Sequence, residues 1–224
     1  TATVTIIVND IAPSITYSSS SLTLTKGTAM TIETVTSTGG AVVTYSVSPS
    51  LPAGLALDTS TGAISGTPTA ITSSASYTIT ATNTGGTDTA SITIVVNDVA
   101  PSSVTYPSTS LTLTNGTTMT TVIPTTGGGT PTSWSISPSL PAGLSFDTST
   151  GAISGTPTEI NSSATYTVTA TNTGGSATAT LTVQVNIAPP ADITYSPSSF
   201  TLTKGTAMTS VTPTATGGVI SSWS

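Results

Sequence analysis

Apolar residues alternate with Thr and Ser in short runs along the chain. Leu22 and Leu24 share one face ahead of a Lys26-Gly27 turn, and Val43, Tyr45 and Val47 share another. Tyr77, Ile79 and Ala81 alternate with Thr78, Thr80 and Thr82, and Asn83-Thr84-Gly85-Gly86 then turns the chain into Ala90, Ile92, Ile94 and Val96. A period of two with one apolar face predicts half-buried strands, and the last pair predicts a hairpin. No segment carries the helical period. Around Met30 to Val35 the register stays open, because Glu33 stands where Val122 and Val211 stand later in the chain.

The pattern recurs. Tyr17, Tyr106 and Tyr195 stand 89 residues apart, and LTLTKGTAM from Leu22 aligns with LTLTNGTTM from Leu111 and FTLTKGTAM from Phe200. LPAGLALDTSTGAISGTPT from Leu51 aligns with LPAGLSFDTSTGAISGTPT from Leu140. A fixed period of that length is one small domain per unit, not a solenoid turn. Junctions that read strand, turn, Pro at Ile7, Val95 and Val183 place the boundaries. Residues 1–10 are expected to be the last strand of a preceding repeat, 11–98 and 99–187 complete repeats, and 188–224 the start of a further one. The chain is thus expected to be a window on a longer polypeptide.

About seven strands per repeat, punctuated by Gly, Pro and Asn, predict an all-β chain of tandem immunoglobulin-like β-sandwiches. Tyr45, Trp134 and Trp223 share one position on the third strand, where that plan buries an aromatic ring. Tyr77 and Tyr166 are placed at the opening of the penultimate strand as a tyrosine corner, two residues before Ile79 and Val168, which replace the usual cysteine with aliphatic packing.

Composition narrows the function. Thr makes up about a quarter of the chain, as suits strand surfaces. Only 4% of residues are charged, the net charge is −6, and His, Cys and Arg are absent, leaving Lys26 and Lys204 as the only cations. Without imidazole or thiolate there is no usual general base, nucleophile or zinc site. Without basic residues the electrostatic drive toward nucleic acid is missing. No disulfide can form, so burial must stabilise each domain. No apolar run reaches the ~18 residues of a membrane span, and no signal-peptide pattern opens the sequence.

The segment LPAGLxxDTSTGAISGTPT resembles the immunoglobulin-like and dystroglycan-type cadherin-like tandem repeats of bacterial and archaeal cell-surface proteins. The resemblance implies a long exported chain, such as an adhesin, a stalk, a surface-layer component or an accessory array on a secreted enzyme. The same residues have a physical reading: Pro52 and Gly54 turn the chain so that Leu51 and Leu55 plug one end of the sandwich. Asp58 then accepts hydrogen bonds from the turn that follows. The motif reads as a folding device and not as an active site.

Eight carboxylates are present, and Asp58 and Asp147 fall at one position of successive domains, so no catalytic pair is expected. The chain is read as a non-enzyme without a cofactor. Calcium is the one metal considered: Asn9-Asp10 and Asn97-Asp98 resemble the interdomain segment of cadherins. Calcium takes six to eight oxygen ligands, usually from several carboxylates, whereas each junction offers one Asp and the third, Asn186-Ile187, offers none. Asn115-Gly-Thr and Asn161-Ser-Ser fit the N-glycosylation pattern, so glycans on Asn115 and Asn161 are candidate modifications. A chain with so little surface charge gains solubility from sugars or packs against its neighbours.

Together these readings predict an extracellular, cell-surface or secreted structural region forming a stiff rod, stalk or filament. Its partners would be neighbouring repeats or copies, with no nucleic acid and no membrane insertion in this segment. Two alternatives stay open: adhesin repeats that bind carbohydrate or host protein through loops at the sandwich ends, and an accessory array of a secreted enzyme. Exposed aromatic residues would favour the first of these.

Overall fold

The computed structural model describes residues 2–220 and Ser222. Trp223, expected at the aromatic core position of a further repeat, lies outside the described residues. Among these residues there is no helix, and the strands fall into two sandwiches plus a short pair. The chain divides into two compact units, one holding the residues up to Ala100 with Gly128–Thr130 and Asn172–Gly175, the other the remainder.

The first sandwich has eight strands: β1 (Pro13–Tyr17), β2 (Ser21–Thr25), β3 (Val35–Gly39), β4 (Thr44–Ser48), β5 (Leu55–Leu57), β6 (Ile64–Gly66), β7 (Thr72–Asn83) and β8 (Gly86–Asn97). One layer has the order β2-β8-β7-β4, with β2 parallel to β8 and the other pairs antiparallel. In the other layer β1 pairs with β3 and β5 with β6, and a bridge between Glu33 and Ile64 joins the two pairs. This is the seven-strand immunoglobulin-like plan with its first strand divided, because Ser18 to Ser20 carry the chain from one sheet to the other.

Alternation decides what is inside. On β7 the side chains of Tyr77, Ile79 and Ala81 are buried, and on β8 those of Ile92, Ile94 and Val96 are completely so. They meet Ile15, Tyr45 and Ile64 from the other strands. Each fully buried aliphatic side chain contributes about 1.5–3 kcal/mol, the main term available to a chain with no disulfide. Between these residues Thr78, Thr80 and Thr82 face outward but are half-buried, since β7 is flanked on both sides by strands. Val43 shares the parity of Tyr45 yet is 69% exposed, because it stands outside the edge strand β4.

The second sandwich repeats the order with β9 (Pro101–Thr105), β10 (Ser110–Thr114), β11 (Thr125–Gly128), β12 (Ser133–Ser137), β13 (Leu144–Phe146), β14 (Ile153–Gly155), β15 (Asn161–Asn172) and β16 (Gly175–Asn186). Its layers are β10-β16-β15-β12 and the pairs β11-β9 and β13-β14, joined by a bridge between Val122 and Ile153. Trp134, Tyr166, Val168, Leu181 and Val183 fill its core. Beyond it, β17 (Pro190–Thr194) pairs with β18 (Thr214–Gly217).

Two sequence expectations differ from the structure. Residues 2–10, expected to form a strand, carry no secondary structure, and Val4, Ile6 and Val8 are 79–87% exposed. A strand exists through its ladder, and no strand among the described residues pairs with this segment. Tyr77 and Tyr166 do not open their strands: each is the sixth residue of a twelve-residue strand. The tyrosine-to-backbone bond belongs instead to Tyr17 and Tyr106, whose hydroxyls donate to the carbonyls of Gly62 and Gly151.

Candidate functional site

The junction residues named as calcium candidates lie where the chain enters each sandwich. Asp10 donates its N–H to Thr84 Oγ1 (3.0 Å) and its carboxylate accepts the Thr84 hydroxyl (2.7 Å). Asp98 donates its N–H to Thr173 Oγ1 (2.9 Å), and its carboxylate accepts the N–H of Val99 (3.0 Å). Asn97 is the last ladder residue of β8, opposite Thr25, and Asn9 is exposed. No cluster of three acidic side chains occurs among the described residues, so each junction presents a single carboxylate.

What the junctions do bring together was not anticipated. Asn83 and Asn172, the last residues of β7 and β15, are buried polar side chains at the tip of each hairpin. Asn83 Nδ2 donates to the carbonyls of Ile11 (2.7 Å) and Ala41 (3.2 Å), and its Oδ1 accepts the N–H groups of Gly85 (2.8 Å) and Gly86 (3.1 Å). Asn172 repeats this with Val99 (2.7 Å), Thr130 (3.2 Å) and Gly174 (2.8 Å). Two carbonyls on one side and N–H groups on the other leave one orientation for the amide. The signal was in the pattern: Asn83 continues the inward series Tyr77, Ile79, Ala81, so alternation alone places a polar side chain inside.

The Asp-Thr-Ser-Thr-Gly turn behaves as its sequence suggests. Asp58 Oδ1 accepts the N–H groups of Ser60 (2.8 Å) and Thr61 (3.0 Å), which hold its carboxyl below the ordinary carboxylate range. Asp147 is pulled further, to about 2, first by the Ser149 hydroxyl, then by the Ser149 N–H, the Thr150 hydroxyl and the Thr150 N–H. Gly62 and Gly151 close these turns with positive φ, and a Cβ on either would overlap the Tyr45 or Trp134 ring. Burial pushes the Tyr17 hydroxyl up to about 12, with Tyr45 and Glu33 adding to it, and burial does the same for Tyr106. Each turn bonds its carboxylate within its own sandwich.

Glu33, whose register was open, is buried and accepts from Ser18 Oγ (2.7 Å), Ser19 N–H (3.0 Å) and Ser19 Oγ (3.4 Å). The sequon asparagines are both half-buried: Asn115 Nδ2 reaches the Thr158 carbonyl and Asn161 Nδ2 the Tyr166 hydroxyl, each at 3.4 Å. An open groove of about 420 Å³ is lined by Tyr45, Val47, Leu51, Leu55 and Leu57. No aromatic side chain of the two sandwiches is exposed. Tyr195 and Phe200, which are 49% and 43% exposed, both lie beyond the second one. No helix is long and apolar enough to cross a membrane among the described residues.

Residues 12–97 and 101–186 each match the family model described as "Putative Ig domain". No curated protein matches the chain in sequence. Among solved structures, extracellular domains 3–5 of Drosophila OTK superpose with a TM-score of 0.46 at 15% identity, covering 80% of this chain and 62% of that one. The N-terminal eight Ig domains of a DSCAM isoform give 0.46 at 15% identity, covering 84% and 29%. Human protocadherin-24 EC1-2 gives 0.38 at 16% identity, covering 80% and 99%. The chain spans less than two thirds of the length of the first of these.

Proposed function

The chain belongs to the "Putative Ig domain" family, and from that premise we propose that it is a structural repeat region of a large extracellular surface protein. Its sandwiches act as stiff spacers in a rod, stalk or filament. One observation supports this above the others: the chain passes from one sandwich to the next without a free residue. Asn97 still pairs in the ladder of β8, and the N–H of the next residue, Asp98, is already bonded to Thr173. A connection this short is not the long Gly/Ser-rich segment that behaves as a flexible tether. Asp58 and Asp147 hold turns, and Asp10 and Asp98 cap the entry segments, which accords with a role without catalysis, and the lack of exposed aromatics on the sandwiches weighs against carbohydrate recognition by stacking.

Electron microscopy of the native protein, paired with intact mass, tests the reading. Straight particles whose length grows in proportion to the number of repeats are expected, with added mass on Asn115 or Asn161 marking a glycosylated surface. Particles bent at random between sandwiches would overturn it.

A further inference from the structure

The segment that enters each sandwich rests on a seat built from two glycines and one asparagine. A Cβ at Gly40 would overlap the Ile11 carbonyl oxygen, and one at Gly85 that of Asp10. In the second sandwich Gly129 and Gly174 stand in the same relation to Val99 and Asp98. Gly218, after β18, stands so toward Ala188. None of these five has positive φ, so what they provide is close approach and not an unusual backbone. Onto this seat Asn83 or Asn172 fastens the incoming segment by its carbonyl, while Thr84 or Thr173 takes the N–H of the aspartate before it.

We propose that Asn83 and Asn172 are linker clamps that make the incoming segment part of the sandwich it enters. The structural unit then begins at Asp10 and Asp98, ahead of β1 and β9, and is locked by an amide rather than by a metal ion. In each clamp the amide nitrogen sits between two backbone carbonyls, and its two partly positive hydrogens meet the oxygens that would otherwise be free to face a cation. The inference rests on this geometry and holds whether or not the array is a spacer.

Backbone ¹⁵N relaxation on the whole chain tests it. Ile11, Ala12, Val99 and Ala100 are expected at order parameters near ~0.85, like the strands, with or without calcium or EDTA. Values below ~0.6 at these residues in the wild type, or a rise on adding calcium, would overturn the proposal. Asn172→Asp keeps the shape but aims a carboxylate oxygen at the carbonyls of Val99 and Thr130. It should lower the order parameters of Val99 and Ala100 while leaving Ile11 and Ala12 unchanged, and an unchanged Val99 would overturn the clamp. Should that variant fail to fold, Thr173→Val removes one hydrogen bond only. Amide-exchange protection at Asp98 should then fall about tenfold, and full protection would count against the seat.

Discussion

The two sandwiches share three polar fastenings and differ in how their interiors are filled, and the first adds a fourth bond, from the Ile15 N–H to the Asp88 carboxylate, where the second has Ala177. Asp58 and Asp147 hold the same turn, Tyr17 and Tyr106 bond the same glycine carbonyl, and Asn83 and Asn172 close the same hairpin. The filling changes in groups: Tyr45 becomes Trp134, Leu57 becomes Phe146, and Glu33 becomes Val122 where Ser18 becomes Pro107. The last exchange is informative. A buried carboxylate occurs where two serines donate to it, and where a proline removes one hydroxyl the position is apolar. The directional bonds recur, while the apolar interior is exchanged as a set: rings grow at Trp134 and Phe146 as Ile15, Ile79 and Ile94 give way to Val104, Val168 and Val183.

The sharpest way to break the comparison is to empty one interior. Trp134→Ala should cost the second sandwich about 3–5 kcal/mol, as removal of a buried Trp does. The first sandwich, which shares no core residue with it, should keep its stability. Urea unfolding followed by amide exchange at Ile79 and Val168 separates the two. Equal losses at both would mean that the sandwiches do not stand alone.

Glu33 tests the matched exchange. Glu33→Val leaves the Ser18 hydroxyl and the Ser19 N–H without their acceptor and should cost the first sandwich about 1–3 kcal/mol. Adding Ser18→Ala removes one stranded donor, so the double variant should lose less than the single one. A double variant as unstable as the single would show that the serines contribute nothing to the exchange.

These cases show what the sequence made legible. The hairpin of β7 and β8 and its buried face followed from alternation, and the repeat gave the number of sandwiches. The segment from Met30 to Val35 did not follow, because the partners of Glu33 lie 14 and 15 residues earlier. Nor did the fate of residues 2–10: Val4, Ile6 and Val8 alternate as Ile92, Ile94 and Val96 do, yet one set is bare and the other completely buried. Alternation states which face a strand would bury and not whether a neighbour is there to bury it. The clamp was readable in part, since Asn83 falls on the inward parity, but its partners Ile11 and Ala41 come from segments with no pattern of their own.

Alkali should act on both sandwiches alike. The hydroxyls of Tyr17 and Tyr106 titrate at about 12, above the unfolded value near ~10, so the folded state keeps protons that the unfolded state has lost. Their stabilising contribution is complete below about pH 10 and declines as pH rises toward 12. Tyr17→Phe and Tyr106→Phe should each remove one late-titrating group from the tyrosinate absorbance of the folded chain, and urea should bring those groups down to the ordinary range. Early titration of both would place these hydroxyls in water.

The smallest expected effect separates the two sandwiches again, at the Asp-Thr-Ser-Thr-Gly turn. Asp147 accepts the Ser149 hydroxyl as well as two N–H groups, whereas Asp58 is held by the N–H groups of Ser60 and Thr61 before any hydroxyl. Hydrogen bonds to the ionised form lower its pKa, so the folded carboxylates stay charged in acid that protonates the unfolded chain. Their contribution is therefore present above about pH 4 and lost as pH falls through the folded value, about 2 for Asp147. An NMR titration of the carboxyl carbons should find Asp147 below Asp58, and Ser149→Ala should raise Asp147 toward it. Both turns are exposed, so the accompanying change in stability should be slight. If Ser149→Ala leaves the titration of Asp147 where it was, the serine hydroxyl is not what distinguishes the turns, and the two sandwiches are alike in this fastening too.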